Sequence, residues 1–271
     1  MKIIDTFLFF NEEKMLDYRL NYYKHTVDYF ILIESNKTFS GLDKPLYFEK
    51  IKDKYTEYKD KLIHYIVNFD DLPTFLNKKE NEITAWDREH YQRNCIKEAI
   101  KNIPNINDED WIHLVDIDEF SNRDKLMTVK NSDYYSSKDK VGYTLEYDMY
   151  YYNVCCKHLT KWYHPKLIRY SIIKNNDLNA VRCSFNYFPL LIEFGWHFSY
   201  FFSPEKIIEK IKSFSHQEYN TEDYTDKNYI EECIKNNKSI FSLDKSRNDQ
   251  IIYIPIEDNK NLPEDIHLLL N

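Results

Sequence analysis

Trp111-Ile112-His113-Leu114-Val115-Asp116-Ile117-Asp118-Glu119-Phe120 is an apolar run that ends abruptly in three carboxylates. A buried strand ending this way carries Asp116 and Asp118 to its C-terminal edge, which in an open α/β sheet is the usual ligand crevice. Two hard oxygen donors there suit a divalent cation. An EF-hand loop starting at Asp116 would need an oxygen ligand at its fifth position, Gly at its sixth and Glu at its twelfth. This chain has Phe120, Ser121 and Met127 there, so that reading fails. An Asp-x-Asp phosphatase stays open, although such folds usually carry the pair on their first strand. The plain structural alternative is a strand end meeting a solvated acidic turn.

The pattern upstream supplies the rest of a sheet. Ile3 to Phe10 is a β-rich apolar run, Glu12 to Lys24 has helical spacing through Met15, Leu16 and Leu20, and Val27 to Glu34 reads as a second buried strand. After a polar loop from Ser35 to Lys44, Leu46 to Tyr58 reads as helix and Lys61 to Val67 as a third strand. Thr84 to Ile103 is a helix in which Thr84 caps, Asp87 follows three residues on, and Trp86, Cys95, Ile96, Ala99 and Ile100 are the apolar positions. Strands alternating with helices predict a mostly parallel, doubly wound sheet. Beyond Asp118, Val141 to Val154 and Lys157 to Ile173 are long, Tyr-rich and β-like, the pattern of an antiparallel extension. Ser203-Pro204-Glu205 opens a helix with Ile207, Ile208, Ile211 and Phe214 on one face. The expectation is a single α/β domain over residues 1–271, with a helical C-terminal part from about Ser203.

Composition excludes several classes. With 37 Lys plus Arg against 45 Asp plus Glu, the net charge of −8 offers no broad basic face for nucleic acid. No apolar segment approaches the ~20 residues of a membrane span, and Lys2 leads directly into a strand pattern instead of a signal peptide. The five cysteines are odd in number and lack zinc-ligand spacing, which favours reduced thiols and a soluble, cytoplasmic protein. Richness in Asn, Lys, Ile and Tyr hints at an AT-rich bacterial or large-virus genome. Gly41, Gly142 and Gly195 are the only glycines, so no Gly-rich phosphate loop is present and any diphosphate is held by metal and side chains. Among the 24 Tyr and 17 Phe, most serve packing, while some are available as platforms for the apolar faces of sugar rings.

Several motifs occur in one order: Asp5-x-Phe7 with Phe10-Asn11-Glu12, Leu16-x-x-Arg19-Leu20, Val27-Asp28-x-Phe30, Glu34-Ser35-x-x-Thr38-Phe39-x-Gly41-x-x-Lys44-Pro45, and Val115-Asp116-Ile117-Asp118-Glu119. Gly195-Trp196-His197-Phe198-Ser199-Tyr200 and Lys210-x-x-Ser213-Phe214-Ser215-His216-Gln217-Glu218 follow. Over roughly Met1 to Lys238 the chain resembles glycosyltransferase family 17, which includes β-1,4-mannosyl-glycoprotein 4-β-N-acetylglucosaminyltransferase. The resemblance implies a GT-A-like fold and an inverting transfer from a nucleotide sugar, UDP-GlcNAc, to a glycan or glycoconjugate acceptor. It also implies dependence on a divalent metal, Mn²⁺ or Mg²⁺. This chain has no counterpart of the animal enzyme's Golgi anchor and stem, and Glu193-Phe194 directly precedes Gly195, so the acceptor does not carry over. The alternatives are a metal-dependent phosphohydrolase and an inactive nucleotide-sugar or glycan-binding protein.

The chemistry of transfer assigns candidate roles. A diphosphate leaving group and an oxocarbenium-like sugar demand cationic stabilisation. Asp118 is the expected direct metal ligand, Asp116 is divided between the metal and the ribose or sugar hydroxyls, and His197 completes the metal set. Inversion needs one base. Glu193, after the apolar Pro189 to Ile192, is the first candidate, with Glu146 and Asp148 on one face of a strand in reserve. For the nucleotide, Asn11, Glu12, Glu34, Thr38 and Lys44 lie at strand ends or in the following loop. Arg88, Arg93 and Asn94 sit on the helix before the Asp116 strand. Arg93 reaches the diphosphate or donor sugar, or else joins Glu89 and Lys97 in an exposed ion-pair ladder. Lys210 and His216 are placed to close over the diphosphate.

Overall fold

Continuous apolar runs such as Ile3–Leu8 and Tyr29–Ser35 bury nearly every residue, as strands must when helices cover both faces of a parallel sheet. The computed structural model describes residues 1–137, 139–247 and 249–270. Among these residues, ten strands join in one sheet. They are β1 (Ile3–Leu8), β2 (Tyr29–Ser35), β3 (Leu62–Val67), β4 (Trp111–Leu114), β5 (Glu119–Ser121), β6 (Gly142–Tyr151), β7 (Cys156–His158), β8 (Lys166–Arg169), β9 (Leu190–Ser199) and β10 (Ile251–Tyr253). The order is β10-β7-β6-β8-β4-β1-β2-β3, with β9 on the other edge of β6 and β5 against β9. The β4-β1-β2-β3 part is parallel, β8 runs antiparallel to β4 and β6, and β9 runs parallel to β6.

Alternation along β1 divides the core into two layers. Ile3 and Phe7 pack with Leu16, Leu20 and Tyr23 from the helix Glu13–Tyr23, whereas Ile4 packs with Ile96, Ala99 and Ile100 on the opposite face. This is the α/β architecture expected from the sequence, a parallel sheet with an antiparallel extension. The helix expected over residues 84–103 breaks at Cys95 into Ala85–Asn94 and Ile96–Ile100. Its start is a capping box: Thr84 Oγ1 accepts from the Asp87 amide at 3.0 Å, and Asp87 Oδ2 accepts from the Thr84 amide at 2.8 Å. The stretch 46–58 is a short helix, Tyr47–Ile51, followed by 3-10 turns.

Three departures from the sequence reading affect the site. Lys157 to Ile173 is not one long strand: a loop ending in Pro165 separates β7 from β8, and a short helix, Tyr170–Ile173, follows. β5 and β9 pair because Gly195 has no side chain; a Cβ there would lie 2.0 Å from the Phe120 carbonyl oxygen. That approach sets His197 opposite Glu119. The segment after Ser203 is helical over 204–213, 222–225 and 227–235, but then returns to the sheet as β10 against β7. All five cysteines are free. Among the described residues no helix is long and apolar enough to cross a membrane.

A buried ion pair ties the first layer to the acidic turn. Arg19 is fully buried and donates to both Asp5 carboxylate oxygens at 2.6 and 2.7 Å. Its remaining nitrogen donates to the carbonyls of Asp116, Ile117 and Glu119 at 3.3, 3.1 and 2.8 Å. Burial raises the Asp5 pKa, but the Arg19 charge and the His113 hydrogen bond outweigh it and hold the carboxyl below its ordinary range. Replacing Arg19 by Met leaves Asp5 charged and uncompensated. We expect Arg19→Met to lose about 3–5 kcal/mol of unfolding free energy in urea titration, and a loss below ~1 kcal/mol would show that the turn does not depend on this pair.

Candidate active site

The C-terminal ends of β1, β2 and β4 open into a cleft of ≈ 640 Å³. Leu8 to Phe10 and Glu12 enter it after β1, Ser35 and Lys37 to Phe39 after β2, and Asp116 to Asp118 after β4. Met149 and Tyr151 of β6, His197 and Ser199 of β9, and Lys210 of the helix Pro204–Ser213 face them.

The three carboxylates of the turn take three different environments. Asp116 is bracketed by two guanidinium groups: Arg93 Nη1 donates to Oδ1 and Arg182 Nη2 to Oδ2, both at 2.6 Å. Glu119 points inward and is fully buried. Its oxygens accept from Arg182 at 2.6 and 2.8 Å, from the Trp162 indole at 2.6 Å and from the Asp116 amide at 2.7 Å. Burial raises its pKa, and Arg182 more than reverses this, keeping Glu119 ionised well below the usual range. The two acids in turn raise the pKa of Arg182 against its burial.

Asp118 faces the cleft. Lys210 Nζ donates to its Oδ2 at 3.0 Å, while His197 Nε2 lies 3.5 Å from Oδ1. Burial works to raise the Asp118 pKa, but Lys210 and then His197 pull the carboxyl far below its usual range. The His197 ring packs on Trp162 with centroids 4.7 Å apart, and its Nδ1 is buried without a hydrogen-bond partner. In the neutral tautomer with its proton on Nδ1, Nε2 would be free to share a cation with the carboxylate. Among the described residues, no three His, Cys, Asp or Glu side chains converge as a metal cage. At the cleft, Asp118 and His197 offer one carboxylate and one imidazole, so any ion held there would need the rest of its ligands from outside the protein.

The other nucleotide-side candidates divide. Glu12, Thr38, Lys44, Arg93, Lys210 and His216 line the cleft. Burial, partly opposed by Lys210, raises the pKa of Glu12, whose Oε2 accepts from the amides of Phe10 and Asn11 at 2.9 and 3.1 Å. Burial lowers the pKa of Lys44. Asn11, Glu34, Arg88 and Asn94 lie outside the cleft lining. Asn11 donates to Glu209 at 2.9 Å, and Glu34 is fully buried, where it accepts from the Phe48 amide at 3.0 Å. Arg88 donates to the Phe39 carbonyl at 3.3 Å and backs the loop at Gly41. Asn94 bonds Asp177 and the Leu178 amide at 2.7 and 3.1 Å, anchoring the helix Leu178–Cys183 that carries Arg182.

The three carboxylates expected to supply the base lie away from this cleft. Asp148 and Glu193 line a separate cavity of ≈ 360 Å³. Asp148 is paired with Lys157 and Lys161 at 2.8 and 2.6 Å. Glu146 accepts from Tyr163 at 3.3 Å and from the Glu193 amide at 3.2 Å. Strict alternation from His197 would put Glu193 on the cleft side. A register shift between β6 and β9, with φ +51° at Glu193, turns it outward into solvent. Sequence reasoning missed Arg182, Trp162 and His164. Arg182 lies in a segment without a motif, whereas the aromatic run Trp162-Tyr163-His164 before Pro165 was a visible loop signal.

Comparison with curated proteins finds no match. The model of glycosyltransferase family 17 matches residues 1–246. That match takes in both flanks of the cleft, from the β1 edge through the Asp116–Asp118 turn to Lys210 and His216. The chain belongs to glycosyltransferase family 17 and is a glycosyltransferase.

Proposed function

We propose that this chain is an inverting, metal-dependent transferase that moves N-acetylglucosamine from UDP-GlcNAc to a hydroxyl of a glycan acceptor. The observation that carries the metal and diphosphate part is the Asp118 and His197 pair, 3.5 Å apart at the cleft, beside Lys210, Arg93 and Arg182. Inversion and the GlcNAc donor rest on the family resemblance. Mn²⁺ or Mg²⁺ held by Asp118 and His197 would supply Lewis-acid neutralisation of the diphosphate. Lys210, raised in pKa by Asp118 and Glu12 against its burial, stays cationic and binds the diphosphate edge. Arg93 and Arg182 are locked on Asp116 before any ligand arrives, so their field is preorganised. The nucleoside end lies at Phe10, Thr38 and Lys44. A phosphohydrolase using an aspartate nucleophile is disfavoured, because both Asp116 oxygens are taken by arginines and Asp118 is held by Lys210.

UDP release from UDP-GlcNAc should require Mn²⁺ or Mg²⁺ and stop in EDTA, and Asp118→Asn should lower it about 100-fold or more with the fold intact. Release indifferent to chelation and to Asp118→Asn would remove the metal assignment. No release from any sugar nucleotide by a folded protein, with glycan acceptors supplied and nucleotide still binding by titration, would leave a binding protein. Glu193→Gln should keep the wild-type rate, since its side chain is exposed outside the cleft. Loss of turnover in that variant would return the base to Glu193.

A further inference from the structure

Transfer by inversion needs a group that accepts the acceptor proton, and the carboxylates of the cleft are already engaged. Asp116 is bound by two arginines, Asp118 by Lys210, and Glu89 by Arg93 at 2.9 Å and by Ser215. Glu12 folds back onto the amides of its own turn beside Lys210. His216 Nδ1 is 2.6 Å from Glu218.

His164 is different. It lines the cleft, half-buried, and among the described residues its ring nitrogens make no hydrogen bond. The ring is nonetheless held in place. Its centroid is 4.4 Å from Trp162, which is itself 4.7 Å from His197, and Phe185 packs edge-on at 4.8 Å. The Trp162 indole is pinned to Glu119 at 2.6 Å. Beneath the loop, the buried Lys166 donates to the carbonyls of Tyr163 and His164 at 2.6 and 3.1 Å. The imidazole thus stands one ring beyond the Asp118 and His197 pair, fixed by packing and with both nitrogens unspent.

We propose that His164 is the general base that takes the proton from the acceptor hydroxyl, an inference that rests on the transferase reading above. As the acceptor oxygen bonds to the anomeric carbon of the donor, its proton passes to the unprotonated nitrogen of His164. The bond from the anomeric carbon to the diphosphate oxygen breaks, and UDP leaves with the electron pair. The imidazolium then returns its proton to solvent. Burial first, and then the Arg182 charge, push His164 down to about 3, so the ring is neutral at physiological pH. Lys166 and Arg93 act in the same direction and Glu119 opposes them.

The test uses the full chain with UDP-GlcNAc and Mn²⁺, water serving as acceptor, and calorimetry of UDP-GlcNAc binding. His164→Ala and His164→Asn should each lower kcat about 10²–10⁴-fold, with donor affinity within about twofold of wild type. Added imidazole should restore turnover to His164→Ala and not to His164→Asn, whose side chain fills the site. Retention of the wild-type kcat in both variants would overturn the proposal. So would a loss that tracks donor affinity without imidazole rescue, and a selective kcat loss in Glu12→Gln alone would move the base to Glu12. If the wild type itself releases no UDP from UDP-GlcNAc, the UDP-GlcNAc reading falls and the base assignment built on it with it.

Discussion

The buried Asp5 and Arg19 pair is the constraint on which the cleft depends. A turn leaving β4 points the carbonyls of Asp116, Ile117 and Glu119 at the Arg19 guanidinium, and buried carbonyls need donors. One guanidinium serves all three with one nitrogen while its other two are taken by Asp5. Arg19 comes from the first helix and Asp5 from β1, so the packing of the first βα unit sets the position of the Asp118 carboxylate. His113 Nδ1 and Asp5 Oδ1, 2.8 Å apart, and the short links among His113, Ser121 and Tyr147 carry the same network under β5. Isolated buried charges would be costly, but a network with this many partners is rigid.

Above that base, charge is arranged in two tiers. Glu119 and Asp116 neutralise Arg182 and Arg93 within the protein, which lets two guanidinium groups persist in a half-closed cleft without a ligand. Asp118 has a single lysine and the His197 imidazole beside it. The inner tier is therefore held by the protein alone, while the outer tier is less fully engaged. One consequence is that the Asp-x-Asp-Glu motif has three chemically distinct acids, although sequence presents them as equivalent.

Much of this was legible in the chain. The strand ending at Asp116, the βαβ start, the Thr84 capping box and the Ser203-Pro204 helix follow from local periodicity and caps, which act over a few residues. Arg93 was read as reaching the diphosphate or donor sugar, or as a rung of an exposed ladder with Glu89 and Lys97; it is buried in the cleft wall, where it bonds Asp116 and Glu89 together. Lys97 leaves that ladder for the Asn176 carbonyl. Glu193, proposed as base because it follows the apolar Pro189 to Ile192, does not face the cleft, because one positive-φ residue and one register shift turn it away from the face of His197. The loop Trp162 to His164 was hidden by the assumption of a continuous strand, which Pro165 and the short β8 rule out.

By itself the sequence determined the parallel α/β sheet, the crevice at its C-terminal edge and the placement of Asp116 and Asp118 there, because those features depend on period, length and capping along a contiguous chain. Only the tertiary structure decided which cation meets which acid. Arg182 reaches Asp116 across 66 positions and Lys210 reaches Asp118 across 92, contacts no local pattern encodes. The same holds for His197, which faces Asp118 because a glycine at 195 lets two distant strands close to backbone contact.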